Sequence, residues 1–353
     1  MIKISLSNEI LRRIVEIERC RVECGGIKLP VTLSARLRKN SRKKSSYASN
    51  KIEGNPLSEA EAGEAIESSR RHFLKPEQEV RNYYAALQFL EQARTRNRPF
   101  SRELILAVQE LVVQGESAEK TGIRGPMPPG VLFAVYDEKT GVAEYIPPEA
   151  GDIESLLAEL VEYVKTSDDH PVLKAAVVHY QMVTIHPFED GNGRTARLMS
   201  GYVLDLHGYG FNNIGSLEEY FAYDVEEYYR SLQMDLPPLF YDGRENPPHP
   251  EVWIDYFLRM MELHAKKVVE LSKANAPGRI GTSLTHVGVK ERRFYEYLRR
   301  RGITEFTPVE MAQAMKVTNR TVINWCASLA RNGLVEPILS GKRIRAYTVA
   351  DVP

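Results

Sequence analysis

The sequence contains only three cysteines, Cys20, Cys24 and Cys326, among its 353 residues. This odd and scattered set excludes a disulfide framework and a four-cysteine zinc site, so we expect the thiols to be reduced. The sequence also lacks any run of the roughly 18 to 20 apolar residues that a membrane-spanning helix needs, and a mixed-charge segment rather than a signal peptide follows Met1. These absences predict a cytoplasmic protein without a membrane partner.

An excess of either charge is absent as well, because 47 basic residues balance 47 acidic ones. Whole-chain charge therefore does not indicate a nucleic-acid or membrane partner. Two regions are locally basic. Residues 36–44 hold six basic side chains, which either bind phosphate groups or form a solvated helix face or loop. From Val287 to the C terminus, twelve basic residues stand against six acidic ones, a net charge of +6.

Apolar residues recur at three- to four-residue spacing over most of the chain, which predicts a mainly α-helical fold. Helices are predicted over residues 9–22, 58–73, 77–93, 102–113, 152–166, 172–185, 194–207 and 250–274. Ser58 and Glu61 form the pattern of a capping box at the start of one of them. Strand patterns at Val131–Tyr136 and Val142–Ile146 predict a single β-hairpin.

A polar loop lies between two strongly apolar helices and has the sequence His186-Pro187-Phe188-Glu189-Asp190-Gly191-Asn192-Gly193-Arg194-Thr195-Ala196-Arg197. Its two glycines let the backbone turn sharply, so that successive N–H groups point at an anion at the start of the next helix. Its two arginines add bidentate donors for phosphate oxygens. The alternative is a simple turn with solvated charges, which does not account for so many functional groups in twelve residues.

Two further side chains of this loop suit phosphate chemistry. Asp190 offers a hard oxygen ligand of the kind that Mg²⁺ prefers. His186 is the side chain of the loop whose ordinary pKa lies near neutrality, which makes it the natural general base. The loop therefore predicts a site that binds a phosphate chain and removes a proton.

At every specified position the loop resembles the Fic motif, His-Pro-Phe-x-Asp/Glu-Gly-Asn-Gly-Arg-x-x-Arg. The resemblance implies a Fic-type helical core with a β-hairpin flap. It also implies an enzyme that splits ATP, in complex with Mg²⁺, between the α- and β-phosphates and transfers AMP to a Ser, Thr or Tyr hydroxyl of a target protein.

The resemblance also implies a role for each residue of the loop. His186 would deprotonate the target hydroxyl, Phe188 would anchor the loop in the core, and Asp190 would hold Mg²⁺. The remaining implied contacts are with the nucleotide phosphates: Asn192 and the backbone around Gly191 and Gly193 with the α-phosphate, Arg194 with the phosphate chain, and Arg197 with the γ-phosphate.

Two other segments resemble parts of the same family. The hairpin at 131–146 is similar to the Fic flap, whose edge strand aligns an extended stretch of the target protein, although a hairpin can also be a surface ornament. The segment around Gly122-Ile123-Arg124 departs from the usual Gly-x-Tyr-Arg, which leaves target recognition open. Tyr229 matches a tyrosine that lines the nucleotide pocket in the family, and plain packing is its alternative role.

A third resemblance concerns regulation. Ser49 and Glu53 lie one helical turn apart, and Gly54 follows them. This spacing is similar to the Ser/Thr-x-x-x-Glu-Gly/Asn inhibitory motif of Fic proteins, which implies that Glu53 pairs with Arg197 in place of the γ-phosphate. In some relatives the same glutamate positions water for removal of AMP, so both activities are open here. The alternative is a surface glutamate at a helix end.

The C-terminal region resembles a winged helix. Thr307 and Thr318 are predicted N-caps of helices at 309–316 and 319–332, and strands at 334–338 and 344–348 follow. The residues expected to face a partner are Asn319, Arg320, Thr321 and Asn324 on the second helix and Lys342, Arg343 and Arg345 in the wing. The net positive charge suits phosphate contacts, but winged helices also bind proteins, and the two alternatives stay open.

Together these features predict four regions. They are an N-terminal helical region at 1–95 with an inhibitory helix at about 45–55, a Fic catalytic core at 96–245, a connecting helix and linker at 246–280, and a winged helix-turn-helix domain at 281–353. We predict an ATP- and Mg²⁺-dependent protein adenylyltransferase with autoinhibition by Glu53. The alternatives are a DNA-binding transcriptional regulator whose Fic domain is a sensor, and a Fic enzyme that transfers another nucleotide or phosphocholine. A homodimer is a further alternative for the partner.

Overall fold

The computed structural model describes residues 2–115, 120–131, 133–136, 140–234, 236, 247, 249–276, 287–340 and 343–349. The chain divides into two compact units. The first unit contains residues 1–26 and 34–270, and the second contains 27–33 and 271–353. The predicted boundary near residue 281 lies outside the described residues, so the four-region division stays a prediction.

The helices up to residue 275 are α1 (Asn8–Gly26), α2 (Val31–Ile52), α3 (Glu59–Glu67), α4 (Lys75–Thr95), α5 (Arg102–Val112), α6 (Ala150–Thr166), α7 (Pro171–Ile185), α8 (Asn192–Leu206), α9 (Glu218–Phe221), α10 (Val225–Gln233) and α11 (Pro250–Asn275). Two short strands, β1 (Val135–Tyr136) and β2 (Ala143–Tyr145), stand between α5 and α6. The predicted mainly α fold is confirmed.

Helices α7 and α8 pack along each other at the centre of the first unit. Helix α7 is buried on almost every side, which explains why its sequence is apolar throughout. Helices α4 and α5 cover α8, and α6 covers α7. The loop that joins α7 to α8 is therefore held between buried helices.

The predicted helix at 58–73 is too long. Its start is confirmed, because the Ser58 hydroxyl accepts from the Glu61 N–H and the Glu61 carboxylate accepts from the Ser58 N–H. The helix ends at Glu67, where the Arg81 guanidinium of α4 donates to the carbonyls of Ala65 and Ser68. These donors from another helix satisfy the last carbonyl groups of α3, so the helix ends before the end of the apolar pattern.

Helix α2 was not predicted over its full length, because its sequence is too polar for an apolar stripe. Its basic side chains pair with glutamates elsewhere in the first unit: Lys39 and Lys43 with Glu67, Arg42 with Glu91, and Lys44 with Glu219. Residues 36–44 are thus part of a helix. The pairs reduce the positive charge that phosphate binding would require there.

The predicted hairpin is present but shorter than expected. Val135 pairs with Tyr145 in antiparallel register, and β1 has two residues where the sequence predicted six. The Val131 N–H donates to the Pro128 carbonyl within a turn, so the strand does not extend back to Val131. Leu132 and residues 137–139, which lie between the two predicted strands, are outside the described residues.

The second unit contains α12 (Val289–Arg300), β3 (Glu305–Phe306), α13 (Pro308–Met315), α14 (Asn319–Arg331), β4 (Val335–Ser340) and β5 (Arg343–Val349). The strands form an antiparallel sheet in the order β3-β5-β4. Both predicted caps are confirmed, since Thr307 accepts from the Glu310 N–H and Thr318 accepts from the Thr321 N–H. Helix α12 was not predicted.

A separate core holds this unit together, with Phe294, Trp325, Cys326 and Leu329 among its buried side chains. Asn319, Arg320 and Asn324 of α14 are exposed. Lys342 and the side chain of Arg343 lie outside the described residues. The winged-helix assignment therefore stays a prediction. Among the helices that the structure describes in either unit, none is long and apolar enough to cross a bilayer.

Candidate active site

The loop between α7 and α8 is bounded by two residues in the left-handed backbone region. His186 has φ 48° and ends α7, and Gly191 has φ 82° and caps α8. A Cβ at Gly191 would also lie 3.0 Å from Cγ1 of Val112. Both the positive φ and the limited space therefore favour glycine at this position. These two turns set the directions in which the chain leaves α7 and enters α8.

The loop is braced from within. The Asn192 side-chain oxygen accepts from the Phe188 N–H at 3.0 Å, and its amide nitrogen donates to the Phe188 carbonyl at 2.8 Å. Phe188 is fully buried, and its backbone bridges to Ile123. The Asn192 side chain is thus used by the loop itself, and its predicted contact with an α-phosphate stays a prediction.

His186 is half-buried with one ring nitrogen already in use. Its Nδ1 lies 3.2 Å from the Val183 carbonyl oxygen, which can only accept, so the proton of the neutral ring lies on Nδ1. Burial lowers the pKa of His186 to about 4, and the nearby Arg124 acts in the same direction. The ring is therefore neutral at pH 7, with Nε2 free of a proton.

Arg124 fixes the loop from the side. Its backbone N–H donates to the Pro187 carbonyl, and its Nε donates to the His186 carbonyl at 2.8 Å. Its guanidinium also donates to the Pro148 carbonyl and lies over the Phe133 ring. This residue, in the segment that departs from the family pattern, contributes to the position of His186, a role that the sequence did not predict.

Asp190 is surrounded by cations of the chain. Its Oδ1 lies 2.7 Å from Nη2 of Arg194, and its Oδ2 lies 3.0 Å from Nζ of Lys120. Burial disfavours the charged carboxylate, but the two cations outweigh this effect and lower the pKa of Asp190. The carboxylate is ionised and already faces positive charge.

Arg194 is buried and uses only part of its guanidinium donors. Its side chain is 5% exposed, and only Nη2 is used, on Asp190. Its buried Nε and Nη1 have no hydrogen-bond partner among the described residues. Buried guanidinium donors without partners are costly, which points to an anionic ligand beside the start of α8.

Arg197, one turn further along α8, is fully engaged. It donates from Nη2 to the Glu53 carboxylate at 2.6 Å and from Nε to the Ser49 hydroxyl at 2.8 Å. The Ser49 carbonyl and the Tyr228 hydroxyl are further partners. Burial disfavours the charged guanidinium, but Glu53 and the neighbouring tyrosines outweigh it and raise the pKa of Arg197. The predicted Ser49, Glu53 and Arg197 therefore meet.

Gly193 makes this meeting geometrically feasible. A Cβ at Gly193 would lie 2.5 Å from Oε1 of Glu53 and 3.3 Å from Nη1 of Arg197. Any side chain at this position would push the Glu53 carboxylate away from the arginine.

A cavity of about 210 Å³ lies between Glu53, the loop and the start of α8, and its lining does not include Asp190 or Arg194. His186, Gly193 and Arg197 line it on the loop side, and the strand β2 contributes Glu144 and Tyr145. Glu53 projects into the same cavity. The cavity therefore lies beside both the flap and the loop.

Tyr229 also lines this cavity, and its contact with a nucleotide stays a prediction. Its side chain is 43% exposed, and its hydroxyl donates to the Ile52 carbonyl at 3.3 Å. The neighbouring Tyr228, which the sequence did not single out, is buried and accepts from Arg197. The Tyr228 hydroxyl also contacts Nε2 of the buried His179 at 2.8 Å.

Residues 99–204 match the family model of the Fic/DOC family. The chain contains a Fic domain. Over 71 residues it is 42% identical to the protein adenylyltransferase Fic of Culex quinquefasciatus and 39% identical to that of Nematostella vectensis. Each match covers 19% of this chain, and 14% and 17% of the two relatives respectively. The matched part is thus less than a fifth of either relative.

Solved structures share the fold. A Fic family protein from Desulfovibrio desulfuricans has a TM-score of 0.63 at 20% identity, covering 99% of this chain and 98% of that one. Fic-1 (residues 134–508) from C. elegans has a TM-score of 0.56 at 24% identity, covering 78% of this chain and 73% of that one. At these identities the likeness concerns the fold alone.

Proposed function

We propose that this protein is a protein adenylyltransferase that moves AMP from ATP to a hydroxyl side chain of a target protein. The observation that carries the proposal is the arrangement around the loop at 186–191, where a neutral histidine ends α7 and a buried arginine with unpaired donors lies at the start of α8. The names of the relatives that match part of the domain support AMP as the transferred group.

His186 is the proposed general base. Because Nδ1 is bonded to the Val183 carbonyl, Nε2 is left to take the proton of the target hydroxyl. The hydroxyl oxygen then forms a bond to the α-phosphorus, and the bond from that phosphorus to the bridging oxygen of the β-phosphate breaks. AMP stays on the target and pyrophosphate leaves with the bonding electrons.

The phosphate chain is proposed to bind at the start of α8. The unpartnered Nε and Nη1 of Arg194 supply donors, and the N terminus of α8 adds its partial positive charge. Asp190 fits a divalent cation, because Arg194 and Lys120 keep its carboxylate ionised and a carboxylate offers the hard oxygen ligands that Mg²⁺ prefers. When bound there, Mg²⁺ would offset the negative charge of the phosphates.

Glu53 is proposed to inhibit the enzyme. It occupies the Arg197 guanidinium that the resemblance assigns to the γ-phosphate, so ATP cannot use that contact until Glu53 leaves. Two negative groups competing for one buried arginine exclude each other on electrostatic grounds. Because Glu53 lines the cavity, a water-activating role in AMP removal is a further part of the proposal.

The test is incubation with ATP labelled on the α-phosphate. Wild type, Glu53→Gly, His186→Ala and the double variant are compared for label on the protein itself and on lysate proteins. We expect strong label with Glu53→Gly alone and none with the double variant. Label from γ-labelled ATP instead would indicate phosphate transfer, and label from UTP or CDP-choline would indicate another transferred group.

The second unit favours one other function, DNA binding. Helix α14 carries exposed Asn319, Arg320 and Asn324 and contains no acidic residue. Arginine and asparagine are side chains that read guanine and adenine edges in the major groove. A sequence-specific shift in a DNA-binding assay that Arg320→Ala and Asn324→Ala abolish would support a regulator.

A further inference from the structure

The two carboxylate oxygens of Asp190 have different surroundings. Oδ1 is used inside the loop, where it accepts from the Gly191 N–H at 2.5 Å and from Nη2 of Arg194 at 2.7 Å. Oδ2 faces another element and lies 3.0 Å from Nζ of Lys120. A cation from outside the loop would therefore approach Oδ2, which is where the ammonium group lies.

The backbone of Lys120 is placed there by a buried amide. Gln109 of α5 is fully buried, and its Nε2 donates to the Lys120 carbonyl at 2.7 Å and to the Asp190 carbonyl at 3.2 Å. Its Oε1 accepts from the Gly122 N–H at 3.0 Å. One side chain thus ties the segment at 120–122 to the backbone of Asp190, and the distance between Lys120 and the carboxylate is set by the fold.

We propose that Lys120 is a built-in competitor of the divalent cation for Asp190. The inference rests on the proposed function, in which Asp190 holds the metal. An ammonium group and a metal ion cannot share Oδ2, because two cations a few ångströms apart repel each other. The long flexible stem of lysine lets the ammonium swing away while Gln109 keeps the backbone in place.

This competition makes metal binding weaker than the carboxylate alone would allow. The side chains of Lys120 and Asp190 are 35% and 25% exposed, so solvent screens their attraction. Removal of the ammonium should therefore tighten metal binding by only about two- to fivefold. Lys120→Met keeps most of the stem and removes the charge, and Lys120→Arg keeps the charge.

The test is a titration of the full chain with Mn²⁺ at low ionic strength, without nucleotide, in which free Mn²⁺ is followed by electron paramagnetic resonance. The part of the binding that Asp190→Asn removes is assigned to this site. We expect that part to be about two- to fivefold tighter in Lys120→Met than in wild type and unchanged in Lys120→Arg. Lys165→Met, which breaks a surface pair with Glu162, is the matched control and should behave as wild type.

Two outcomes would overturn the inference in different ways. Equal or weaker Asp190-dependent binding in Lys120→Met would show that Lys120 does not compete, and would leave the proposed transferase intact. Binding that Asp190→Asn does not change in any background would remove the metal site itself and the inference with it. AMP transfer from labelled ATP is measured separately, so a failure of the proposed function is visible on its own.

Discussion

Replacing Glu53 with glycine removes the carboxylate that holds Arg197. The pair is asymmetric, because the Arg197 side chain is 1% exposed whereas that of Glu53 is 31% exposed. After the change Arg197 keeps the Ser49 hydroxyl and carbonyl as partners, so the fold should survive. The lost contact is one short charge-assisted hydrogen bond of 2.6 Å.

The size of the effect follows from that contact. A hydrogen bond to a charged group contributes about 1.5 to 3 kcal/mol, and the partial exposure of Glu53 places this one in the lower half, at about 1.5 to 2 kcal/mol. Each 1.4 kcal/mol is a factor of about ten in an equilibrium. If Arg197 must be free for ATP to bind productively, AMP transfer at low ATP should rise about 10- to 30-fold.

The assay measures the initial rate of label transfer from α-labelled ATP over a range of ATP concentrations. Glu53→Gln is the matched variant, because it keeps the size and one neutral hydrogen bond and should give a smaller rise. Thermal unfolding controls for damage to the fold. Equal rates for wild type and Glu53→Gly at every ATP concentration would refute the reasoning, and so would a rise as large with Glu53→Gln as with Glu53→Gly.

Three further predictions concern stability and are measured by denaturant unfolding. Tyr228→Phe leaves Nε2 of the buried His179 without its partner and should lower the free energy of unfolding by about 1 to 3 kcal/mol. Tyr229→Phe removes only a weak hydrogen bond of 3.3 Å from a half-exposed residue and should lower it by less than about 0.5 kcal/mol. Equal losses for the two variants would contradict the proposed hydrogen-bond network. Gly191→Ala should cost at least about 1 to 2 kcal/mol because of its positive φ, whereas Gly201→Ala, in open space on α8, should be neutral or stabilising. Burial lowers the pKa of His264 to about 4, so the unfolded chain binds a proton that the native one does not between pH 6.5 and 4. Stability should therefore fall as the pH is lowered through that range, by about 2 kcal/mol at pH 5 relative to neutral pH from this residue alone. His264→Phe should remove that part of the slope, and an unchanged slope would contradict the prediction.

The sequence predicted correctly those parts of the fold that depend on residues close together in the chain. The caps at Ser58, Thr307 and Thr318 have the predicted geometry, because a capping residue acts only on the turn that follows it. The first half of helix α2 was not predicted, because distant glutamates, not an apolar stripe, hold it in place. The end of α3 was misplaced for the same reason, since Arg81 of another helix supplies its cap.

The same distinction separates the predicted and the missed parts of the candidate site. The loop residues are contiguous, so one stretch of sequence reveals them together. The resemblance supplied Glu53 and Ser49, which precede Arg197 by 144 and 148 residues. Lys120, Arg124 and Gln109 reach the loop only through tertiary packing, and no spacing rule links them to it. The hydrogen bond of His179 could not be predicted either, because a histidine in an apolar helix has the same sequence pattern whether or not it contacts a tyrosine hydroxyl.

The residues that the sequence did not predict share one physical role. They hold in position the charged side chains that the sequence did predict. Arg197 illustrates this, because a guanidinium stays charged even at 1% exposure, and several oxygens must surround it to offset the cost of burying that charge. Glu53 supplies one of them from a surface-accessible turn, and Tyr228 supplies another from the buried aromatic cluster around Trp253. An arginine so placed can exchange its exposed partner for a phosphate while its buried partners hold it still, and that asymmetry suits Arg197 to act as a switch.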